Sequence, residues 1–444
     1  MKKNSIETSI RYDVSEQQSK FKEHIGPKFY IVLIIWVFWA LLQSLSMLQA
    51  LPSFYAQIFW YLKNLSGALA IIVATILYLK SLKLYSTATF SLLFSCYAVS
   101  NVMIKGCTLN NLYQPLMYFI WGWGLFVIAP IFLSTTHRII IFLRCIFWST
   151  TFILFMGQFW EKTVGKSLGQ PVWANVMSNF RYVFGFRHPG YVATILISVI
   201  LMGWLLYSLS SNRFERIITL SVSTIGVIAL YLTASRSGLA FLIVVIILIL
   251  LMRLNMKASW HLNLSFFILF FFIILFSGFL LHYSEFYQKL NTIFSNRLNI
   301  WANVFRDTFS VNPYSFIWGG NQAVTGYTSV LAGIDGGIIS SVFARYRLDS
   351  TYIEMLLMYG VIGLILYVFI FIRLLQFSIR KQRTLNNTNS KNIYSLAIAV
   401  LVGLCVASLT VSLAPSMGNL INAALLPVAI ALLYVIKPDV NNPQ

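Results

Sequence analysis

FFILFFFIILFSGFLL, residues Phe266–Leu281, runs without a single charge, and GLAFLIVVIILILLM, Gly238–Met252, does the same. Neither stretch belongs on a water-facing surface. About 20 apolar residues are needed to cross the ~30 Å hydrocarbon core of a bilayer, and runs of this kind recur along the whole chain. Hydrophobic residues make up 58% of the sequence and charged residues only 10%, with a mean hydropathy of +0.77. A soluble domain would be about 25% charged. The fold class that follows is an all-α polytopic membrane protein.

Working outward from these runs, the pattern predicts twelve spans: 29–50, 62–79, 86–104, 112–133, 139–158, 189–210, 216–235, 238–253, 262–281, 351–374, 393–411 and 419–436. They divide the chain into a polar N-terminal tail (1–28), nine spans over 29–281 with a loop at 159–188, a large loop at 282–350, three spans over 351–436, and a C-terminal tail (437–444). No short apolar core with a cleavage site precedes the first span, so no removable signal peptide is expected.

The basic residues set the expected orientation. With the N-terminus inside, 19 of the 32 Lys and Arg fall on the inner side and 12 on the outer side, while Arg144 lies within the fifth span. Lys63 and Lys105 are counted at the outer interface. Short inner loops are basic and short outer loops nearly bare, as the positive-inside rule requires. The net charge of +20 is thereby a topology signal held to an anionic leaflet, and no nucleic acid is needed to explain it. Cys96, Cys107, Cys145 and Cys405 read as small core residues. The histidines have no ligand spacing, so no metal is expected.

Both loops that interrupt the apolar pattern, 159–188 and 282–350, fall on the outside and hold most of the outward-facing arginines. Arginine gathered on one face of a membrane protein suits an anionic or phosphate-bearing substrate. Arg236 lies in Thr233-Ala-Ser-Arg-Ser-Gly238, between two spans with almost no loop. It reads either as snorkelling to headgroups or as a cation at a cavity mouth, with Gly238 letting a ligand approach the backbone. Arg181 and Arg187 bracket Tyr182–Phe186, and His188-Pro-Gly190 opens the sixth span; a plain helix start competes there with a substrate contact. In the large loop, Arg297, Trp301 and Phe305 recur every four residues, an amphipathic helix in the interface plane. Residues 321–341, rich in glycine and small residues, suggest a mobile lid. Arg345, Arg347 and Asp349 then lead into the tenth span. Thr351-Tyr-Ile-Glu354 fits a capping box with Thr351 as cap, against an acid/base role for Glu354. Asp349 reads as helix cap, salt partner or general base.

The order Ser235-Arg-Ser-Gly238, Arg297…Ile300-Trp301…Phe309…Asn312-Pro313…Gly319-Gly320…Asp349-Ser-Thr-Tyr352…Gly360…Gly363, within a twelve-span topology, resembles the O-antigen ligase/polymerase family. The likeness in motifs covers roughly residues 181–363. It implies a GT-C-like membrane fold in the bacterial cytoplasmic membrane, with its active site facing outside. It also implies metal-independent, inverting transfer from an undecaprenyl-diphosphate-linked oligosaccharide, no cofactor, and a chain-length regulator and a flippase as further partners. Ligases of the family tend to carry His-Asn where this chain has Asp349-Ser350, which favours a polymerase. Arg236 and Arg297 are expected on the diphosphate and Asp349 as base. Arg181, Arg187, His188, Arg345, Arg347 and Glu354 are further candidates, with Trp301 and Tyr352 stacking on sugars. A ligase-type transferase and a lipid-linked oligosaccharide flippase are the alternative readings. A transporter would show repeats and midplane charges, whereas these spans read as almost uncharged.

Overall fold

The computed structural model describes residues 25–48, 53–84, 86–105, 109–164, 169–171, 180–184, 186, 189–253, 301, 314–319, 350–385, 388–408 and 419–435. They are almost entirely helical. The helices are α1 (Pro27–Leu45), α2 (Ser53–Leu77), α3 (Ser86–Ile104) and α4 (Leu109–Trp123), the last continued through a π-helical turn (Gly124–Ile128) into α5 (Ala129–Phe132). Next come α6 (Thr136–Val164), a strand pair β1 (Gly169–Pro171) and β2 (Phe180–Tyr182), α7 (Pro189–Leu209), α8 (Arg213–Leu232) and α9 (Arg236–Arg253). The short α10 (Ser315–Trp318) precedes α11 (Thr351–Arg383) and α12 (Thr388–Ala407). A second π turn (Ile421–Leu425) then leads into α13 (Leu426–Val435).

Among the described residues, eight helices are long and apolar enough to cross a membrane. The expected second, eighth and twelfth spans appear as shorter apolar helices, Tyr61–Leu77, Ser237–Leu250 and Ile421–Val435. The ninth, 262–281, lies outside the described residues, as do the helix expected over 297–309 and the glycine-rich stretch 321–341. Element ends differ from the sequence reading in several places. The second helix starts at Ser53 because the aromatic segment before Tyr61 is itself helical, and α6 runs on to Val164. The expected tenth span, α11, reaches Arg383.

The helices alternate in direction, and cross-contacts identify which ends share a face. One face, here called the loop face, carries β1 and β2, with Leu48 bridged to Phe186. It also carries α10 and the start of α11, where Thr351 N–H donates to Ser408 O at 2.9 Å. At the opposite face Arg144 makes a bidentate ion pair with Glu215 (2.5 and 2.6 Å), and Ser210 Oγ donates to the same carboxylate. There too Arg138 lies over Phe29, Arg216 over Tyr207 and Arg373 over Phe90.

The centre of the bundle is the last helix. Every residue from Ile421 to Leu433 is buried, as expected of a helix apolar on all sides. It packs on α12, α5, α6 and α1 or its neighbours. Large apolar side chains are instead exposed on outer helices, Ile34 and Phe38 on α1, Leu69 and Ile76 on α2, Phe152 and Phe155 on α6, and Ile225 and Ile228 on α8. Such surfaces are intolerable in water and natural against lipid, so the chain is a helical membrane protein.

Both π turns share one cause. Each is followed, two residues on, by a proline, Pro130 after Ile128 and Pro427 after Leu425. Proline lacks the N–H that an α-helix donates four residues back, and its ring clashes with that carbonyl. An extra residue in the turn relieves the clash. Within the second turn the carbonyl of Ala423, four residues before Pro427, accepts a hydrogen bond from Trp36 Nε1 at 2.6 Å.

Candidate functional site on the loop face

Four helix ends converge on the loop face. An added Cβ on Gly238, near the start of α9, would sit 3.1 Å from Ala193 Cβ, near the start of α7. Further along α9, Phe241 packs on Gly403 of α12. The end of α12 holds the start of α11 through Ser408 O and through Cys405 O, which accepts from Tyr352 Oη at 2.9 Å. The N-terminal ends of α7, α9 and α11 are therefore neighbours around the end of α12. The starts of these helices point the positive ends of their dipoles at this face, with the Thr351 N–H bonded to Ser408 O and the Gly238 N–H to Ser235 Oγ.

Of the expected site residues, Arg236, Tyr352 and Glu354 stand at these helix starts. Arg236 is the first residue of α9. Its helix start is set by Ser235, whose Oγ accepts from Gly238 N–H at 3.4 Å, a cap bond to the third helical residue. A Cβ on Gly238 would meet Leu230 Cδ1 at 3.0 Å and Ala193 Cβ at 3.1 Å, so the glycine allows close packing of α9 on α7 and α8. Arg181 is in β2, its backbone opposite Gln170. Arg187, His188, Arg297, Arg345, Arg347 and Asp349 lie outside the described residues. Trp301 is buried.

Among the described residues, Phe184 and Ala234 are the non-glycine residues with positive φ, each at 48°. A non-glycine residue in this region is costly and persists only where its surroundings enforce it, often at functional sites. Phe184 sits between Arg181 and Arg187, and Ala234 two residues before Arg236.

Tyr352 and Glu354 occupy the first turn of α11. Tyr352 is engaged in packing: its hydroxyl bonds Cys405 O and its ring meets Tyr367 edge-on at 6.1 Å. The capping box is not formed as expected. Ser350, not Thr351, is the cap residue, its side chain makes no cap bond, and Glu354 falls at the fourth helical position. The helix starts one residue early because Ser408 O satisfies the Thr351 N–H. Glu354 is only 6% exposed, a buried carboxyl in the first turn.

Sequence reasoning missed three features. Lys63, expected at the interface, is 3% exposed within α2, because that helix begins ten residues before it. Cys96, expected in the core, is exposed. The third is a break in α11 at Gly360 (φ 69°, ψ −171°). Tyr97 Oη donates to the Tyr359 carbonyl there at 2.9 Å. Against the break lies Gly319 (φ 70°, ψ 167°), the residue after α10. A Cβ on Gly319 would stand 2.2 Å from Met358 O, and one on Gly360 would stand 2.1 Å from Ile317 O. Both conformations are essentially glycine-only. The two backbones interlock.

No family model matches the chain, and no curated protein matches it.

Proposed function

We propose that this protein is a polymerase of undecaprenyl-diphosphate-linked oligosaccharide repeat units. In this reading it spans the bacterial cytoplasmic membrane twelve times, and its loop face is the outer face. The observation that carries the reading is the convergence of the N-terminal ends of α7, α9 and α11 on one face, helix starts that in the sequence follow the Arg181–Arg187 run, carry Arg236, and follow Asp349. Arginines and helix N-termini together suit a diphosphate.

In the proposed step, an acceptor sugar hydroxyl attacks the anomeric carbon of the growing glycan. The new glycosidic C–O bond forms with inversion as the bond to the lipid diphosphate breaks. The hydroxyl proton goes to the Asp349 carboxylate, and the lipid diphosphate leaves with the bonding pair. Arg236 and Arg297 stabilise the charge on the leaving group without proton transfer. Asp349-Ser350, in place of the His-Asn of ligases, supports polymerisation over ligation. Against transport, basic residues at the opposite face are occupied in local pairs, Arg144 with Glu215 and Arg216 with Tyr207.

The test is an in vitro assay with purified protein, lipid-diphosphate-linked repeat units and a chelator, read as a product ladder on a gel. Ladder formation that survives the chelator and is lost in Arg236→Lys and Arg297→Lys is the expected result, because a point charge does not replace the planar fork. Asp349→Asn should slow transfer by about 10²–10⁴-fold if the carboxylate is the base. Wild-type ladders from both arginine variants would overturn the site.

A further inference from the structure

Helix α3 ends in a polar stripe. Tyr97, Asn101 and Lys105 recur every four residues, the spacing that sets side chains on one side of a helix. All three donate to main-chain carbonyls of remote segments. Tyr97 Oη donates to Tyr359 O at 2.9 Å, at the break in α11. Asn101 Nδ2 donates to Trp318 O at 2.7 Å and to Tyr97 Oη at 3.3 Å. Lys105 Nζ donates to Trp318 O and to Gly319 O, each at 2.7 Å. One stripe thus holds both partners of the interlock, α10 by its last carbonyls and α11 by a carbonyl beside its break.

The break is not written into α11 itself. Residues 355–372 hold no proline and no charge, and glycine, though a poor helix former, is admitted by a helix. An unbroken helix would satisfy its own backbone, with the Gly363 N–H donating to Tyr359 O, as hydrocarbon favours. The observed backbone departs from that. Cβ atoms four residues apart on a helix stand ~5–6 Å from each other, yet a Cβ on Gly363 would stand 2.2 Å from Tyr359 Cβ. The chain turns at Gly360, with φ 69°, and brings Tyr359 back over Gly363. These two glycines admit a straight α11 as well as a broken one, and the groups that favour the broken form come from α3 and α10.

The placing of the half-helix Thr351–Tyr359 follows from the break. Its start meets the end of α12 through Thr351 N–H to Ser408 O and Tyr352 Oη to Cys405 O, each at 2.9 Å. Straightening α11 about Gly360 would swing that start away from α12. We propose that Tyr97, Asn101 and Lys105 form a latch that selects the broken form and so sets the half-helix at the loop-face site, with Lys105 as a positioning residue of the transferase. A two-state element of this kind is the physical means by which a remote contact acts on a site. The positioning role rests on the polymerase reading, in which Asp349 leads into this half-helix; the latch itself does not.

The experiment uses the full-length protein with its four cysteines replaced by alanine and with Thr351→Cys and Ser408→Cys added, reconstituted in phospholipid vesicles. The rate of disulfide formation with copper phenanthroline reads the position of the half-helix, and the polymerisation assay under reducing conditions reads kcat and KM. Lys105→Met, which keeps the stem and loses the donor, is expected to slow the disulfide at least about tenfold as the broken form becomes the minor one. It should also lower kcat by up to about 10²-fold, the scale of a ~1 Å misplacement, with KM for the lipid-linked donor unchanged. Tyr97→Phe should act in the same direction, Lys105→Arg should restore both readouts, and closing the disulfide in Lys105→Met should restore kcat. A disulfide rate unchanged in both Lys105→Met and Tyr97→Phe would overturn the latch, whatever the activity. A slowed disulfide with kcat unmoved would overturn the positioning role. No product ladder from the unsubstituted protein would end the polymerase reading and the positioning role with it, while the disulfide rates would still decide the latch.

Discussion

A single missing Cβ decides more in this molecule than most side chains do. Gly360→Ala would place a methyl group 2.1 Å from Ile317 O, in a backbone region that only glycine occupies freely. Gly319→Ala meets Met358 O in the same way. Each substitution is expected to cost at least about 3 kcal/mol through strain and clash combined. Limited proteolysis should show release of α10 in both variants while the rest of the bundle stays protected. Lys105 offers a second test at this scale. It lies beyond the last helical residue of α3, and burial pushes its amine down to about 8 from 10.5. Between these two values a released Lys105 is charged while the docked one is neutral, so the released form binds more protons. Docking of α10 therefore tightens as pH rises from 8 to 10.5 and gains nothing below 8. The neutral amine still carries hydrogens for both carbonyls. Acylation of Lys105 followed by mass spectrometry should titrate near 8, and α10 should resist protease better at pH 10 than at pH 7.

At the scale of elements, the π turn of the last helix depends on a donor from elsewhere. Trp36→Phe keeps most of the ring volume but leaves Ala423 O buried without its indole partner. A loss of about 1–3 kcal/mol is expected, measurable as a lowered thermal midpoint in detergent, with Trp39→Phe as the comparison. Element existence was readable from apolar run length almost throughout, because each span must satisfy its own backbone in hydrocarbon. The break in α11 was not. Residues 355–372 form an uninterrupted apolar run without proline, and what opens the helix at Gly360 is a backbone docked from more than forty residues earlier in the chain. Lys63 misled for a related reason: a charge beside an apolar run reads as its end, yet the aromatic turns before it extend the helix. Of the site, the meeting of the start of α9, with Arg236, and the starts of α7 and α11 was implied only by motif order. Nothing in local spacing says that α7, α9 and α11 begin side by side, since α12, remote in sequence, joins two of them.

At the scale of the whole molecule, the two faces differ in kind. The opposite face is closed by local pairs such as Arg144 with Glu215, whose carboxylate also accepts from Ser210. Glu215→Gln is expected to lower stability by about 1–2 kcal/mol, toward the low end for hydrogen bonds to charge, because Arg144 is 42% exposed. Denaturation in detergent checks this, and activity per folded molecule should be unchanged. The loop face is instead assembled from backbone ends, and there the proposed chemistry gathers.

The interlock of Gly319 with Gly360 has one more consequence. It plants one foot of residues 320–349 beside Met358, and the other foot, Ser350, begins the same half-helix about 12 Å away. What lies between leaves and returns to a single small patch. For such a closed circuit, doubling its length costs only ~0.6 kcal/mol in chain entropy. The helices are therefore expected to tolerate a change in the length of this connection, apart from Arg345, Arg347 and Asp349, where the proposed chemistry needs the residues themselves. An epitope inserted after Gly326 should leave the thermal midpoint unmoved within error. Antibody binding to intact spheroplasts would show in the same experiment which side of the membrane that part faces.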